Sequence, residues 1–409
     1  RRRDDGLAAS GLGCDLETTI DFFYFGKLML PFFDSGHLAL RDRIRDWIAE
    51  HLRSTRELDA ELESRSIELV RQLGAAGFLK YAVPRQFGGF GATVEARHLC
   101  ILREELARVD ALADTLFALQ ALGSYPIALV GNDQQKARYL PKVAGGEAIA
   151  AFAITEPEAG SDVASLQTVA VRHGERFVLN GTKRFISNAG IADFYVVFAA
   201  TEPAKKAKGV SAFIVDANTP GVTITEKTKL LSPHPIGVLE FTDCAVAAAA
   251  LLGAPGDGLK VALATLDLLR CSVGAAAVGF AQRALDEAIQ YSQSRRQFGR
   301  TIGEFQGIQF KLADMATELE AARLLVYQAA WAHDGGVEAA KQKSSMAKLY
   351  ATEAAQRIVD QALQIHGGSG LIAGSIMERL YRDVRALRIY EGTSEIQKVV
   401  IARGLLKKA

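Results

Sequence analysis

Cysteine is scarce in this chain: four in 409 residues, at Cys14, Cys100, Cys244 and Cys271, with no CxxC pair among them. Such spacing argues against a disulfide framework and fits reduced thiols in a cytoplasmic or matrix setting, of which a bacterial-type cytoplasm is expected ahead of a mitochondrial matrix. Charge of one sign is missing too. Lys plus Arg number 48 and Asp plus Glu 47, a formal net charge of +1, so neither nucleic acid nor an acidic membrane surface is an expected partner. Beyond the N-terminal stretch the longest apolar run, Cys244 to Leu252, is too short to span a bilayer, and no membrane insertion is expected. None of the seven histidines stands at ligand spacing from another His or a Cys, so no metal is expected. A Walker A loop, a GxSxG elbow and an HExxH helix are likewise lacking.

What is there is an ordinary folded composition, 49% apolar and 23% charged, long enough for two or three domains. Residues 1–35 open with three arginines; Asp21, Lys27 and Pro31 interrupt the aromatic-rich core that a signal peptide would need. This stretch reads as an atypical N-terminal extension, with Met29 a plausible start. Over 36–150 the pattern is helical, as in Leu40, Ile44, Trp47 and Ile48. Over 151–250 it turns to short β-rich runs (VAVRH, RFVLNGTKRFIS, FYVVFAA, GVSAFIVDA), and Asn180-Gly181 predicts a tight type I′ hairpin. Over 251–409 long helices return, with Ile308, Leu312, Met315, Leu319 and Ala322 forming one buried stripe. The expected fold class is α+β: an all-α N-terminal domain, a small central β-barrel or sandwich, and a C-terminal four-helix bundle.

Several motifs carry candidate chemistry. Gly368-Ser369-Gly370-Leu371-Ile372-Ala373 matches a dinucleotide fingerprint on paper, but a helical stretch precedes it where a strand is required, so helix-ending glycines are the better reading. FAITEPEAGSDVASLQ, Phe152 to Gln167, is crowded with small and hydroxyl residues; it reads as a polar interdomain turn or as a place where Thr155, Gly160 and Ser161 approach a ligand. KRFISNAG poses the same question, with Phe185 able to lie on a flat ring. In RIYEGTSEIQ, Ser394 and Gln397 read as a capping box for the last helix.

Six segments, FAITEPEAGSDVASL, NGTKRFISNAG, LDLLRCSVGAAAVGFAQRALDEAI, SRRQFGRTIGEFQGIQFKLADM, QIHGGSG and ERLYRDVRALRIYEGTSEIQ, together resemble the acyl-CoA dehydrogenase family in order and spacing, from about residue 36 to the end. The resemblance implies FAD as cofactor and α,β-dehydrogenation of an acyl-CoA to trans-2-enoyl-CoA. It implies Glu391 as the base that removes the α-proton, because the alternative position used by some relatives is here Leu269. Flavin contacts implied are Phe152, Ile154, Thr155, Ser161, Phe185, Ile186, Ser187, Arg295, Phe298, Gln306, Gln364, Gly367, Gly368, Thr393 and Glu395, some reaching across a subunit boundary. Substrate contacts implied are Ser161, Asp267, Arg270 and Gly392, and the acyl tail would lie near TLFALQALGSY. A homotetramer built as two dimers and an electron-transferring flavoprotein are the implied partners. An acyl thioester oxidase or a dehydrogenase of carrier-bound acyl groups shares the same motifs, and a non-catalytic assembly protein on this fold is the reading from a different class. Acyl chain length, branching and electron acceptor are not legible in the motifs.

Overall fold

The structure is a computed structural model, and it describes residues 32–52 and 61–406; the extension expected over 1–35 lies almost entirely outside them. Five helices come first: α1 (Ser35–His51), α2 (Leu62–Ala75), α3 (Ala96–Ala107), α4 (Ala111–Val130) and α5 (Asp133–Gly145). Three of their starts are set by N-cap side chains that accept the unpaired first-turn amides. Asp34 caps α1, Asp110 caps α4, and Asn132 with Gln135 forms a reciprocal box on α5.

Eight strands follow: β1 (Ala150–Ala153), β2 (Val169–His173), β3 (Arg176–Ser187), β4 (Phe194–Ala200), β5 (Val210–Asp216), β6 (Val222–Lys227), β7 (Ile236–Ala247) and β8 (Leu251–Leu252). They pair along one path, β6-β7-β3-β2-β4-β5-β8, with β1 joined in parallel to β4. FYVVFAA is apolar throughout because β4 is buried on both faces. Tyr195, Val197 and Ala199 enter the core shared with the helices, while Phe194, Val196 and Phe198 enter a second core with Phe152 and Ile127.

The Asn180-Gly181 hairpin is not formed. β3 runs straight through it, and the chain turns at Gly174 instead, where His173 pairs with Arg176 and φ is 60°. Asn180 Oδ1 accepts from the amide of Asp243 on β7 at 2.8 Å, across a register shift between Leu179 and Gly181. A β-carbon at Gly181 would lie 2.6 Å from Thr168 Oγ1. The dipeptide therefore marks a bulge and a close backbone approach, which use the same conformational freedom as a turn.

The C-terminal unit holds α6 (Gly258–Ser294), a small hairpin of β9 (Arg296–Gln297) and β10 (Arg300–Thr301), α7 (Gln306–Asp334), α8 (Ala340–His366), α9 (Ile376–Ala386) and α10 (Ser394–Leu406). Of the predicted stripe Met315, Leu319 and Ala322 are buried, while Ile308 and Leu312 are half-buried. By length and composition α4 and α6 could cross a membrane, yet most of each apolar window is packed inside the protein, as befits core helices. The helix–sheet–helix order is the expected architecture. α8 ends at His366, and Gly367 follows with φ 56°, so QIHGGSG terminates a helix and opens no βαβ unit.

Candidate active site

Glu391 sits on the turn between α9 and α10. Its φ is 52° and that of Gly392 is 92°, two successive residues in a region that side chains disfavour. Such a turn needs outside support, and Lys348 on α8 supplies it. The Lys348 ammonium, fully buried, donates to the carbonyl oxygens on either side of Glu391: Tyr390 O at 3.1 Å and Gly392 O at 2.6 Å. Gln397 Nε2 adds a bond to Gly392 O at 2.9 Å. The expected Ser394 cap is absent, because Ser394 Oγ is spent on Glu353 at 2.6 Å. Thr393 takes that place, its Oγ1 accepting from the amide of Ile396 at 3.3 Å, and Gln397 serves the Glu391 turn rather than the helix start.

Glu391 as a whole is half-buried, but its Oε2 is buried with no hydrogen-bond partner. Ile389 and Tyr390 do not bury it, since they remain 55% and 36% exposed. Groups from α3, α4, α6 and α8 enclose it instead. Burial pushes the Glu391 carboxyl above its ordinary range; Arg103, Lys348 and Arg270 pull it back in part, and Asp114 pushes it further up. The cations are themselves restrained. Arg103 Nε and Nη2 are held by the two Asp114 oxygens at 2.8 and 3.0 Å, and Nη1 reaches Ser272 Oγ at 3.1 Å. Arg270 Nη1 pairs with Asp267 Oδ1 at 2.6 Å, and Lys341 meets the other Asp267 oxygen at 3.0 Å. Burial brings the Lys348 ammonium down to about 8, against the attraction of Glu391. A carboxylate whose pKa is raised by burial is a better proton acceptor than an exposed one.

A second group is joined by a buried ion pair that couples FAITEPEAGSD to KRFISNAG. Lys183 Nζ meets Glu156 Oε1 at 2.7 Å and Ile154 O at 3.2 Å, Glu156 takes the amides of Gln167 and Thr168, and Arg184 N donates to Thr155 O at 2.8 Å. Phe185 is thereby fixed beside Thr155 with φ 55°, its ring 48% exposed. Ile154 and Ile186 are buried, and the Phe152 ring packs on Phe198 at 4.8 Å. Ser161 is exposed. Ser187 Oγ bonds His234 Nε2 at 2.9 Å, and the loop carrying His234 is tied by Leu231 O to Arg382 of α9 at 3.0 Å. The strand platform is so linked to the helix that leads to Glu391.

A third set gathers where α6 ends. Tyr291 stacks on His366 at 4.4 Å, bringing the hairpin after Arg295 beside Gln364, Gly367 and Gly368. Phe298 is 93% exposed at φ 52°, and Arg295, Gln306 and Gln364 are exposed as well. Added β-carbons at Gly367 and Gly368 would meet open space. Of the six described non-glycine residues with positive φ, Phe185, Phe298 and Glu391 are candidate site residues, where strain concentrates when function needs it.

Three family models match in sequence: acyl-CoA dehydrogenase N-terminal domain over 34–147, middle domain over 151–244 and C-terminal domain over 256–406. The chain belongs to the acyl-CoA dehydrogenase family. It is 41% identical over 90% of its length to an acyl-CoA dehydrogenase of Bacillus subtilis (strain 168), covering 97% of that protein. It is 40% identical to the caffeyl-CoA reductase–Etf complex subunit CarC of Acetobacterium woodii, over 92% of this chain and 100% of that one. Butyryl-CoA dehydrogenase from Megasphaera elsdenii superposes with TM-score 0.86 at 35% identity, covering 91% of this chain and 99% of that chain. An acyl-CoA dehydrogenase from Bacillus anthracis complexed with FAD does so at 0.83 and 32%, covering 92% and 67%. This acyl-CoA dehydrogenase homologue is an oxidoreductase acting on acyl-CoA.

No motif pointed to Arg103, Asp114 or Lys348, the charged groups beside Glu391. The signal for Lys348 was its setting in SSMAKLYAT: Ser344, Ser345, Ala347, Ala351 and Thr352 are all buried, a small-residue face on which a lysine needs a partner.

Proposed function

We propose that this chain oxidises an acyl-CoA thioester to the trans-2-enoyl-CoA, with Glu391 removing the α-proton and electrons leaving to an electron-transferring flavoprotein. The observation that carries the reading is the buried, unpartnered Glu391 Oε2 on a turn braced by Lys348. The residues present fit FAD: a half-exposed Phe185 ring on fixed backbone beside Thr155, and open glycines beside Arg295 and Phe298. When bound, FAD supplies the acceptor for the β-hydride. Thr155 and Phe185 would hold the flavin ring, Ser187 with His234 would border it, and Arg295 with Gln364, Gly367 and Gly368 would hold the nucleotide end, supplied across a subunit boundary in a dimer of dimers. The caffeyl-CoA reductase–Etf relative supports the flavoprotein partner.

Glu391 accepts the proton, and the Arg103, Lys348 and Arg270 charges beside it offset part of the cost of its ionised form. Lys348 braces the backbone on either side of Glu391, which lies on the turn before α10 and not in the helix.

The same relative favours a second reading, in which the chain works as a reductase of an enoyl-CoA and Glu391 returns the proton. Anaerobic spectral titration of the yellow protein against short, medium, branched and aromatic acyl-CoAs and their enoyl partners separates the two. Bleaching by a saturated thioester, lost in Glu391→Gln with flavin retained, is expected. Full bleaching of Glu391→Gln would overturn Glu391 as the base, and reoxidation of reduced protein by enoyl-CoA alone would favour the reductase.

A further inference from the structure

The loop between β6 and β7 contains Leu231-Ser232-Pro233-His234-Pro235, an imidazole between two prolines. Each proline fixes its own φ at about −65° and holds the residue before it extended, so Ser232 and His234 keep little backbone freedom. The arm is also tied down along its length. Arg382 of α9 donates to Leu231 O at 3.0 Å, the amide of Asn188 to Pro235 O at 2.7 Å, and that of Thr228 to Ile236 O at 2.9 Å. His234 is thereby set against Ser187, the last residue of β3, with Nε2 2.9 Å from Ser187 Oγ.

The other ring nitrogen decides which of the two donates. Nδ1 lies 3.2 Å from Ser232 O; a carbonyl oxygen only accepts, so Nδ1 carries the proton. Burial holds the imidazole's pKa below its ordinary value, against the pull of the Ser232 carbonyl, so the ring is neutral at neutral pH. A neutral ring protonated at Nδ1 has a lone pair on Nε2, and the Ser187 hydroxyl donates to it. With its one proton spent, Ser187 Oγ has only lone pairs to offer any other group. Ser187 is half-buried and Phe185 exposed, whereas Ile186 between them is buried, so Phe185 and Ser187 stand on the accessible side of the strand end.

We propose, resting on the FAD assignment, that His234 is a positioning residue that turns the Ser187 hydroxyl into a hydrogen-bond acceptor toward the flavin. Two-electron reduction of an isoalloxazine adds hydrogen to a ring nitrogen that is an acceptor when oxidised, and hydrogen bonds at such nitrogens tune the cofactor. A lone pair fixed at the ring edge matches the reduced ring and opposes the oxidised one. His234 thus raises the flavin's reduction potential through Ser187, which favours taking electrons from a saturated thioester.

The test measures the reduction potential of the flavin-loaded parent and variants by anaerobic dye equilibration, with the dissociation constant of oxidised FAD alongside. His234→Leu frees the Ser187 hydroxyl to donate to the oxidised ring. The ratio of reduced- to oxidised-flavin affinity should fall about tenfold, a potential lower by about 30 mV for a two-electron couple. His234→Gln, whose Oε1 offers an acceptor in place of Nε2, should stay near the parent. Ser187→Ala removes the lone pair itself and should lower the potential with His234 untouched, which keeps the test decisive if His234→Leu fails to fold. In the Ser187→Ala background His234→Leu should do nothing more. A potential that Ser187→Ala leaves unmoved, or that His234→Leu lowers equally with and without Ser187, would overturn the proposal and leave His234 a loop support. A parent that purifies without FAD and takes none up would overturn the FAD assignment, and this role of His234 with it.

Discussion

At Glu391 the protein tolerates two unfavourable things at once, a left-handed backbone and a buried carboxylate oxygen, Oε2, without a hydrogen-bond partner. Burial raises its pKa over the opposing pull of Arg103, Lys348 and Arg270. The acid limb of kcat/KM should therefore lie above the ordinary glutamate value, with activity falling as pH drops through it and the base protonates. Glu391→Gln should cost about 10²–10⁴-fold in turnover. The same shift has a stability sign. A carboxyl whose folded pKa is raised contributes stability below its unfolded pKa and loses it as pH rises through the folded value. Glu391→Gln should thus melt higher than the parent at pH 8, with the gap closing toward pH 4; an equal gap at both would refute the burial argument. Lys348 acts on the same group through both geometry and charge. Lys348→Met should lower turnover about 10²-fold by loosening the turn, and should move the acid limb upward because one stabilising cation is gone. A merely structural lysine would lower yield without moving the limb.

At the scale of elements, the restraint on Arg103 makes a prediction of opposite sign. Asp114 binds that guanidinium with both oxygens inside a fully buried pair. Asp114→Asn leaves the charge uncompensated and should destabilise by about 3–5 kcal/mol in urea unfolding. The freed Arg103 charge then acts more strongly on Glu391, so the acid limb should move down, not up. The elements also show what could be read in advance and what could not. Helix–sheet–helix order was legible because periodicity is local, and the family because six short motifs stand in its order. Asn180-Gly181 misled because a bulge and a hairpin ask for the same residue types, and only the partner strand decides between them. Ser394 misled because its hydroxyl had a better acceptor in Glu353, distant in sequence. Arg103, Asp114 and Lys348 were hidden for the same reason, since each is defined by a partner on another helix.

For the whole molecule, the distribution of exposed apolar surface sets the last prediction. Phe298 is 93% exposed, Leu371 69% and Ile372 62%, all near the end of α6 where Tyr291 and His366 stack. Large apolar side chains held out on a strained hairpin and beside open glycines need a cover, and under the proposed function that cover is a second copy of the chain with its FAD. Burying one such ring contributes about 1.5–3 kcal/mol, which corresponds to roughly ten- to a hundredfold in association. Phe298→Ser should accordingly shift sedimentation toward smaller species at a given concentration and release flavin on dilution. Glu391→Gln, which leaves this face alone, should do neither. If Phe298→Ser sediments as the parent does and keeps its flavin, the hairpin is not at the subunit boundary, and the nucleotide end of the cofactor must be held within one chain.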